Sequence, residues 1–580
     1  MTKTQYSINK VRKRLFALIS AITFIFLIII ARMFTVQVVS GKKLTQKAID
    51  QWTRELPVKA KRGNIYDCNG VVLAQSQGTY AVYIRTRLVK NKSRVAEVLS
   101  DILQVDEKQL LEKMDKKVSE ITVKRQVNKE TLNKISDYNL DGVYFSVDNS
   151  RYYPYNEALC QIIGYTSSDG YGQSGLEAYY DKYLRGVDGE IIYESDLTGK
   201  DISGTKPTYV KAQDGMDLYL TIDNDVQQIC EGVMSEAMEI YTPKSASVIV
   251  ADCESGAIKG ICTMPSYNLN EIPRDDLEKL NKYGRSTLIV DSYEPGSTFK
   301  VITSTANIEE YFKGNPAAFS LTHIFSSNRY RYVGGRKIKC WSNHANGKHA
   351  NENLAMALNN SCNPIFVDIA LSLGKKTFYN YLDDFNFGKV TGIDFYGEAQ
   401  GMLIPESAVT DGDLARIGFG QTIAVTPIQL LCAVNACVSG GDYKVPYLLD
   451  EIKDKNGKTE VKFSPKIKKD VVSDKTSKII AEYLEGVVKD GSGKQCYIEG
   501  YKVGGKTGTA QKYVDGVIAQ GKYVMSFIGF FPADKPKYIA LVIVDEPIGG
   551  QYGSTVAAPL CKEIFQKIIE CKNIKPTEVK

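Results

Sequence analysis

Histidine is scarce in this chain, with only His323, His344 and His349 among 580 residues. No set of cysteines and histidines has a standard finger spacing, which sets a conventional zinc-finger module aside. The 73 Lys and Arg residues against 67 Asp and Glu leave a net charge of +6, spread over the whole length. No basic module concentrates that charge, so nucleic acid is not an expected partner. There is no repeat array, which excludes a solenoid or propeller. Hydrophobic content of 43% and charged content of 24% exclude wholesale disorder. The length is too great for one core, so two or three domains are expected.

What is present starts with a hydrophobic run. Lys10, Arg12, Lys13 and Arg14 precede an uncharged stretch from Leu15 to Ala31, and Met33 and Phe34 extend it past Arg32. A bilayer core takes ~20 apolar residues as a helix, and an Arg near its end can snorkel to the headgroups. The basic flank predicts a single-pass protein of the cell membrane, with a cytoplasmic N-terminus and an extracellular remainder. A cleaved signal peptide needs a small-residue cleavage site, and Ala31-Arg32-Met33-Phe34 is a poor one. The twelve cysteines are scattered, and Cys230, Cys262, Cys432 and Cys571 lie in apolar runs, so buried free thiols are expected rather than disulfides.

The expected organisation is a cytoplasmic tail at 1–14, a transmembrane anchor at 15–35, an N-terminal pedestal at 36–215, a catalytic domain at 216–572 and a short tail at 573–580. The pedestal holds two glycine-punctuated segments without catalytic chemistry. One is Arg62-Gly63-Asn64 through Asp67-Cys68-Asn69-Gly70; the other runs from Arg151-Tyr152-Tyr153-Pro154 through Gly164-Tyr165 to Gly175-Leu176-Glu177. Both read as structural, the first as a β-turn. Beyond Asp217, Leu218–Ile222 reads as a strand and Asp223 as the N-cap of a helix. Ala246–Ala251 and Ala257–Thr263 read as a hairpin, Ser526–Phe531 and Tyr538–Asp545 as further strands, and Val556–Glu570 as a closing helix. The fold class is α+β.

Serine attack on a carbonyl needs a proton acceptor and an oxyanion binder. Ser-x-x-Lys, Ser-x-Asn and Lys-Thr-Gly, in that order, can supply them. Here they are Ser297-Thr298-Phe299-Lys300, Ser361-Cys362-Asn363 and Lys506-Thr507-Gly508. The first motif alone is uninformative, because Ser7, Ser40, Ser203 and Ser372 also precede a lysine by three. Context separates them. Glu294-Pro295-Gly296 breaks the chain before Ser297, and an apolar helical run follows, placing Ser297 at a helix N-terminus with Lys300 one turn on. Lys-Thr-Gly occurs once.

The three motifs behind an N-terminal anchor resemble those of the penicillin-binding transpeptidases. The Arg62-Gly63 to Gly70 and Gly164 to Glu177 segments, with Gly418-Phe419-Gly420-Gln421 and Thr426-Pro427-x-Gln429, resemble class B members, the division and sporulation branch above all. The chain departs from that pattern at Cys68, where a basic residue is usual, and in having no C-terminal PASTA module. The resemblance implies an antiparallel sheet with flanking helices and an all-helical insert, carried on an elongated pedestal. It implies that Ser297 attacks the penultimate carbonyl of a D-Ala-D-Ala stem peptide, with Lys300 as base, its pKa lowered by neighbouring cations and burial. Ser361 would relay a proton, Asn363 and Lys506 would orient substrate and Ser361, and the N–H groups of Ser297 and Thr509 would hold the oxyanion. Thr507 and Thr509 hydroxyls, beside Gly508, would bind the terminal carboxylate. β-Lactams and a SEDS-family glycosyltransferase are the further partners implied.

Cys340, His344, His349 and Cys362 are residue types that zinc prefers. Some similar family members bind zinc through positions matching Cys340, His349 and Cys362, with His344 and His323 both open as the fourth ligand. The other reading is a buried thiol beside exposed imidazoles. Such a zinc would be structural, since serine chemistry requires no cofactor. Two rival functions share much of the pattern. A D,D-carboxypeptidase or β-lactamase would use water in place of the amine, and the long anchored module argues against it. A pure scaffold could lose Ser297 and Lys300 freely, and both are present.

Overall fold

Helix α1 (Ile8–Phe34) forms over the uncharged run and carries Arg32 in its last turn. None of its residues is buried by protein, and with its extension to Val39 it is long and apolar enough to cross a membrane. The computed structural model describes residues 8–116, 118, 120–194, 208–326, 328–342, 344, 349, 351–514, 517–549 and 552–577. The first seven residues of the expected cytoplasmic tail, the last three of the C-terminal tail and residues 195–207 of the expected pedestal lie outside the described residues.

The chain forms two units. One takes the residues up to Ala60 with Val187–Gln213, and pairs Thr53–Val58, Gly189–Glu194 and Thr208–Val210 as an antiparallel sheet. The other comprises Lys61–Gly186 and the residues from Asp214 onward.

In the second unit, the glycine-punctuated segments meet around a buried ion network. Glu177 is fully buried and accepts from Arg62 Nε and Arg151 Nε, each at 2.6 Å. The Arg62 guanidinium also reaches Asp181 at 2.6 Å and the carbonyls of Gly170 and Glu177, while Arg151 reaches the carbonyl of Gly63. Asp67 shapes the turn as expected, accepting from the N–H groups of Asn69 at 2.8 Å and Val71 at 2.7 Å. Its second oxygen accepts from Asn224 N–H at 3.0 Å, the first residue of α2 (Asn224–Tyr241). The expected strand at Leu218 spans Asp217–Leu220 and runs parallel to Ile65–Tyr66, in a mixed sheet apart from the catalytic one.

The catalytic sheet contains β1 (Ser245–Asp252), β2 (Ile258–Met264), β3 (Gly504–Val514), β4 (Val517–Phe531) and β5 (Tyr538–Asp545). Its order is β2-β1-β5-β4-β3, antiparallel throughout, so β3 is an edge strand. Helices α2 and α6 (Ala557–Cys571) share one core with one face, through Val226, Val233, Ile564 and Phe565 against Val248 and Phe527. The other face belongs to the core that holds α3 (Lys300–Phe312), α4 (Leu354–Asn360) and α5 (Asn363–Asp384). Covering on both faces explains why β5 is apolar at every position from Ile539 to Val544 instead of alternating. The helical insert also carries a short hairpin, Tyr330–Val333 with Arg336–Lys339.

All twelve cysteines are free, and ten are buried. Cys68 and Cys571 correct the expectation of burial: Cys68 lies exposed in the Asp67–Gly70 turn, and Cys571 is the last residue of α6, at the helix end.

Removing Glu177 leaves the buried Arg151 guanidinium without a carboxylate and Arg62 with Asp181 alone. Glu177→Ala is expected to lower stability by roughly 3–5 kcal/mol, the range for breaking a buried charge network from one side. A urea titration followed by circular dichroism measures it, and a loss below about 1 kcal/mol, the ceiling for exposed pairs, contradicts the network's role.

Candidate active site

Ser297 lies on a single tight turn, Gly296–Phe299, that runs straight into α3. Thr298 Oγ1 donates to the Pro295 carbonyl at 2.7 Å and Gly296 N–H donates to the Gly420 carbonyl at 2.9 Å, so the turn is held from both sides. Two glycines permit this closeness. Gly420 has φ +81°, and a Cβ there would stand 2.0 Å from the Gly296 carbonyl oxygen. A Cβ on Gly508 would stand 2.3 Å from Ser526 Oγ and 3.2 Å from the Pro295 carbonyl, so only glycine lets edge strand β3 lie against the serine turn.

Ser361 ends α4 in the left-handed conformation, φ +57°, and Cys362 caps α5 with Pro364 just inside it. A non-glycine residue held there costs on the order of 1 kcal/mol, and the turn points Ser361 and Asn363 at one spot. That spot is Lys300 Nζ, 3.1 Å from Ser297 Oγ, 2.9 Å from Ser361 Oγ, 2.8 Å from the Ser361 carbonyl and 2.7 Å from Asn363 Oδ1. Asn363 Nδ2 donates to the Lys339 carbonyl at 3.3 Å, which fixes its Oδ1 toward the amine.

Lys300 is fully buried, and burial pushes its amine down to about 8; the Cys340, Cys362 and Glu352 side chains act the other way. Burial thus does the work that the sequence reading divided between burial and neighbouring cations. Lys506 is also fully buried and its pKa lies well below the ordinary lysine range, first through burial and then through Lys300. Its Nζ is 3.4 Å from Thr507 Oγ1 and 3.5 Å from Ser492 Oγ, and Thr507 Oγ1 is 3.3 Å from Ser492 Oγ. Thr509 Oγ1 accepts from Gly553 N–H at 3.1 Å, leaving its own hydrogen to donate. A cavity of about 840 Å³ opens over these groups, lined in part by Ser297, Trp341, Ser361, Asn363, Thr507 and Thr509.

All eight residues expected for catalysis and substrate binding therefore fall in or beside one cleft. Ser492 and Trp341 were not expected there. Ser492 stands in a Gly-Ser-Gly turn that reaches the site because its N–H bonds the Asn359 carbonyl at 2.9 Å; a lone Ser-Gly turn carries no signal of that contact.

Behind the Ser-x-Asn turn, Cys340, His344, His349 and Cys362 gather their ligand atoms within 4.8 Å of one another. Cys340 Sγ is 4.0 Å from His349 Nδ1, and Cys362 Sγ is 3.9 Å from His344 Nε2. A tetrahedral zinc with bonds of about 2.0–2.3 Å needs ligand atoms about 3.3–3.8 Å apart, so the set fits with small adjustments. Hydrogen bonds from Cys362 and the two imidazoles hold the Cys340 thiol far below its ordinary range, while Cys362 is raised by the same pairing. His323 is elsewhere, packed against the rings of Phe319 and Phe325 with centroids at 4.6 and 4.7 Å, which favours His344 as the fourth member.

Residues 246–566 match the family described as penicillin binding protein transpeptidase domain, and residues 57–220 match the penicillin-binding protein dimerisation domain. The chain is 38% identical to stage V sporulation protein D of Bacillus subtilis, over 98% of this chain and 87% of that protein. It is 30% identical to a peptidoglycan D,D-transpeptidase FtsI homolog of Mesostigma viride, over 95% and 94%. Its fold is similar to that of a peptidoglycan synthetase from Bifidobacterium adolescentis, with a TM-score of 0.72, 25% identity and coverage of 91% and 98%.

A lysine amine can take a proton from a serine only when it is neutral. Acylation of Ser297 is therefore expected to accelerate between about pH 7 and pH 9, with its midpoint near the Lys300 value of about 8. Lys300→Arg, which stays charged, should slow it by about 10²–10⁴-fold. Stopped-flow acylation across that range checks both, and a flat profile contradicts the assignment.

Proposed function

This chain belongs to the penicillin-binding protein transpeptidases, and from that membership and the cleft we infer a class B peptidoglycan D,D-transpeptidase of septal or spore cell-wall synthesis. The observation that carries the assignment of roles is the convergence of Ser297, Ser361 and Asn363 on the buried Lys300 amine.

A neutral amine has two N–H donors and one lone pair. The Ser361 carbonyl and Asn363 Oδ1 accept only, so they take the two donors, and the lone pair is left to the Ser297 and Ser361 hydroxyls, accepting from Ser297 for the attack. Ser297 Oγ attacks the penultimate D-Ala carbonyl of a stem peptide as its proton passes to Lys300 Nζ. The oxyanion is held by the N–H groups of Ser297 and Thr509. The bond to the terminal D-Ala nitrogen breaks, and that nitrogen receives a proton from Lys300 through Ser361. The terminal carboxylate rests on the Thr507 and Thr509 hydroxyls beside Lys506 and Gly508. An amine of a neighbouring stem then attacks the Ser297 ester, forming the cross-link and returning the serine. A β-lactam, whose ring has no separate leaving group to depart, stops at the ester.

The domain division follows from the same reading: a pedestal at 36–215 and a transpeptidase domain at 216–572, supported by the two matched regions. The basic flank of α1 supports an anchor at 15–35 with a cytoplasmic N-terminus and an extracellular catalytic domain. A SEDS-family glycosyltransferase is the partner that class B membership suggests for the anchor and pedestal. The Cys340, His344, His349 and Cys362 set is assigned a structural zinc, which would brace the Ser361 turn from behind while taking no part in acyl transfer.

Two measurements test these assignments. Fluorescent penicillin is expected to label the detergent-solubilised chain one-to-one and persistently, and Ser297→Ala should abolish the label; rapid loss of label by hydrolysis points instead to a β-lactamase. Elemental analysis should find one zinc per chain, and Cys340→Ser should lose it and lower the Tm; a zinc-free wild type of equal stability rejects the metal.

A further inference from the structure

The hairpin of the helical insert presents a face that acyl transfer does not use. Gly334 and Gly335 at its tip have φ of +55° and +74°, as its tight two-residue turn requires. The register pairs Tyr330 with Lys339 and Tyr332 with Lys337. Cross-strand partners share a face, so two rings and two amines stand together on one side. The rings meet edge-on with centroids 5.5 Å apart, and Lys337 Nζ sits 3.8 Å from the Tyr330 ring centre. The side is open: Tyr332 is 67% exposed, Tyr330 41%, and both lysines are exposed. From Asn328 to Ser342 the chain has five cations and no acid.

The opposite face ties the hairpin to the catalytic residues. Ile338 is buried, and Arg331 is clamped by Asp368 of α5 at 2.8 and 2.6 Å. The Lys339 carbonyl accepts from Asn363, the residue that orients Lys300. Two residues further on, Trp341 is 56% exposed, lines the cleft with Ser297 and faces Tyr552 at 6.1 Å. An open aromatic and cationic strip therefore runs from the hairpin to the cleft wall.

Flat rings beside ammonium groups suit a ligand with apolar ring faces and a negatively charged rim. Resting on the transpeptidase reading above, which supplies a stem peptide attached to an amino-sugar strand, we propose that this face docks the strand itself. The sugar rings lie on Tyr330 and Tyr332, and Lys337 and Lys339 pair with carboxylates of the attached peptides. Because the hairpin is fixed to Asn363 and α5, a docked strand presents its stems to the cleft at a set position. The face is then a binding site for polymer that small acyl donors bypass.

The test uses the full chain in detergent and purified peptidoglycan stripped of teichoic acid, with cosedimentation and penicillin labelling read in parallel. The double variant Tyr330→Ala, Tyr332→Ala is expected to weaken sedimentation by about tenfold. Lys337→Glu, a milder change at an exposed position, should weaken it more at low salt than at high salt. Both variants should take penicillin at the wild-type rate, which also shows that they are folded. Wild-type sedimentation by both variants overturns the platform and leaves the transpeptidase reading standing. So does a wild type that binds only walls retaining teichoic acid, whose phosphates then replace the sugar strand as the ligand. Failure of the wild type to label overturns the transpeptidase reading, while the sedimentation of variants against wild type still decides the platform.

Discussion

The active site depends on keeping one primary amine out of water. A lysine in solvent is charged and cannot accept a proton from a serine; in the proposed mechanism Lys300 serves as base because folding removes its hydration and substitutes fixed oxygen atoms. No single element can do this. Helix α3 supplies a stem buried along its first turns, the α4–α5 junction supplies the carbonyl and amide acceptors, and β3 brings Lys506 and closes the cleft beside the serine turn. The demand for closeness reappears in the backbone. Gly420 and Gly508 leave no room for a side chain, and Ser361 is held in a conformation that helices around it must over-determine.

Much of this was legible beforehand, for definite reasons. The strands at Ala246, Ala257 and Tyr538 and the helix after Asp223 are long, strongly patterned segments, and they form with boundaries shifted by a residue or two. The three catalytic motifs were readable because local sequence placed them: a chain break before Ser297, a single Lys-Thr-Gly, and their order. What could not be read was anything set by long-range packing. Ser492 enters through a bond to Asn359, more than a hundred residues away in sequence. That His344 rather than His323 lies beside Cys362 is set by contacts distant in sequence. The source of the Lys300 shift needed the burial of its surroundings, since the sequence shows which cations are near in the chain but not which water is missing.

The Ser361 turn is loaded from two directions. In front, its carbonyl and hydroxyl bond the lysine; behind, Cys362 joins the two imidazoles and Cys340. Cys340 is also the residue after Lys339, whose carbonyl orients Asn363. A displacement of the cysteine cluster is thus passed to both acceptors of the catalytic amine through one or two peptide units. Under the proposed zinc assignment, this connection would give the metal leverage over acyl transfer although no step passes through it.

The pedestal segments acquire a purpose by the same reasoning. Asp67 shapes its own turn and also receives the first N–H of α2, the helix that packs beneath the catalytic sheet. Tyr180 donates to Asp394 at 2.7 Å, and that carboxylate accepts from the N–H groups of Leu448 and Leu449. Both are buried polar contacts of defined direction, whereas an apolar seam could slide by a few ångströms at little cost. Polar groups left unpaired by such a slip would each cost on the order of 1–3 kcal/mol. The Glu177 network, which knits Arg62 and Arg151 into one body, makes the turn that carries Asp67 rigid enough to matter. The segments that bear no chemistry therefore set the register between the N-terminal elements of this unit and the sheet on which the chemistry rests.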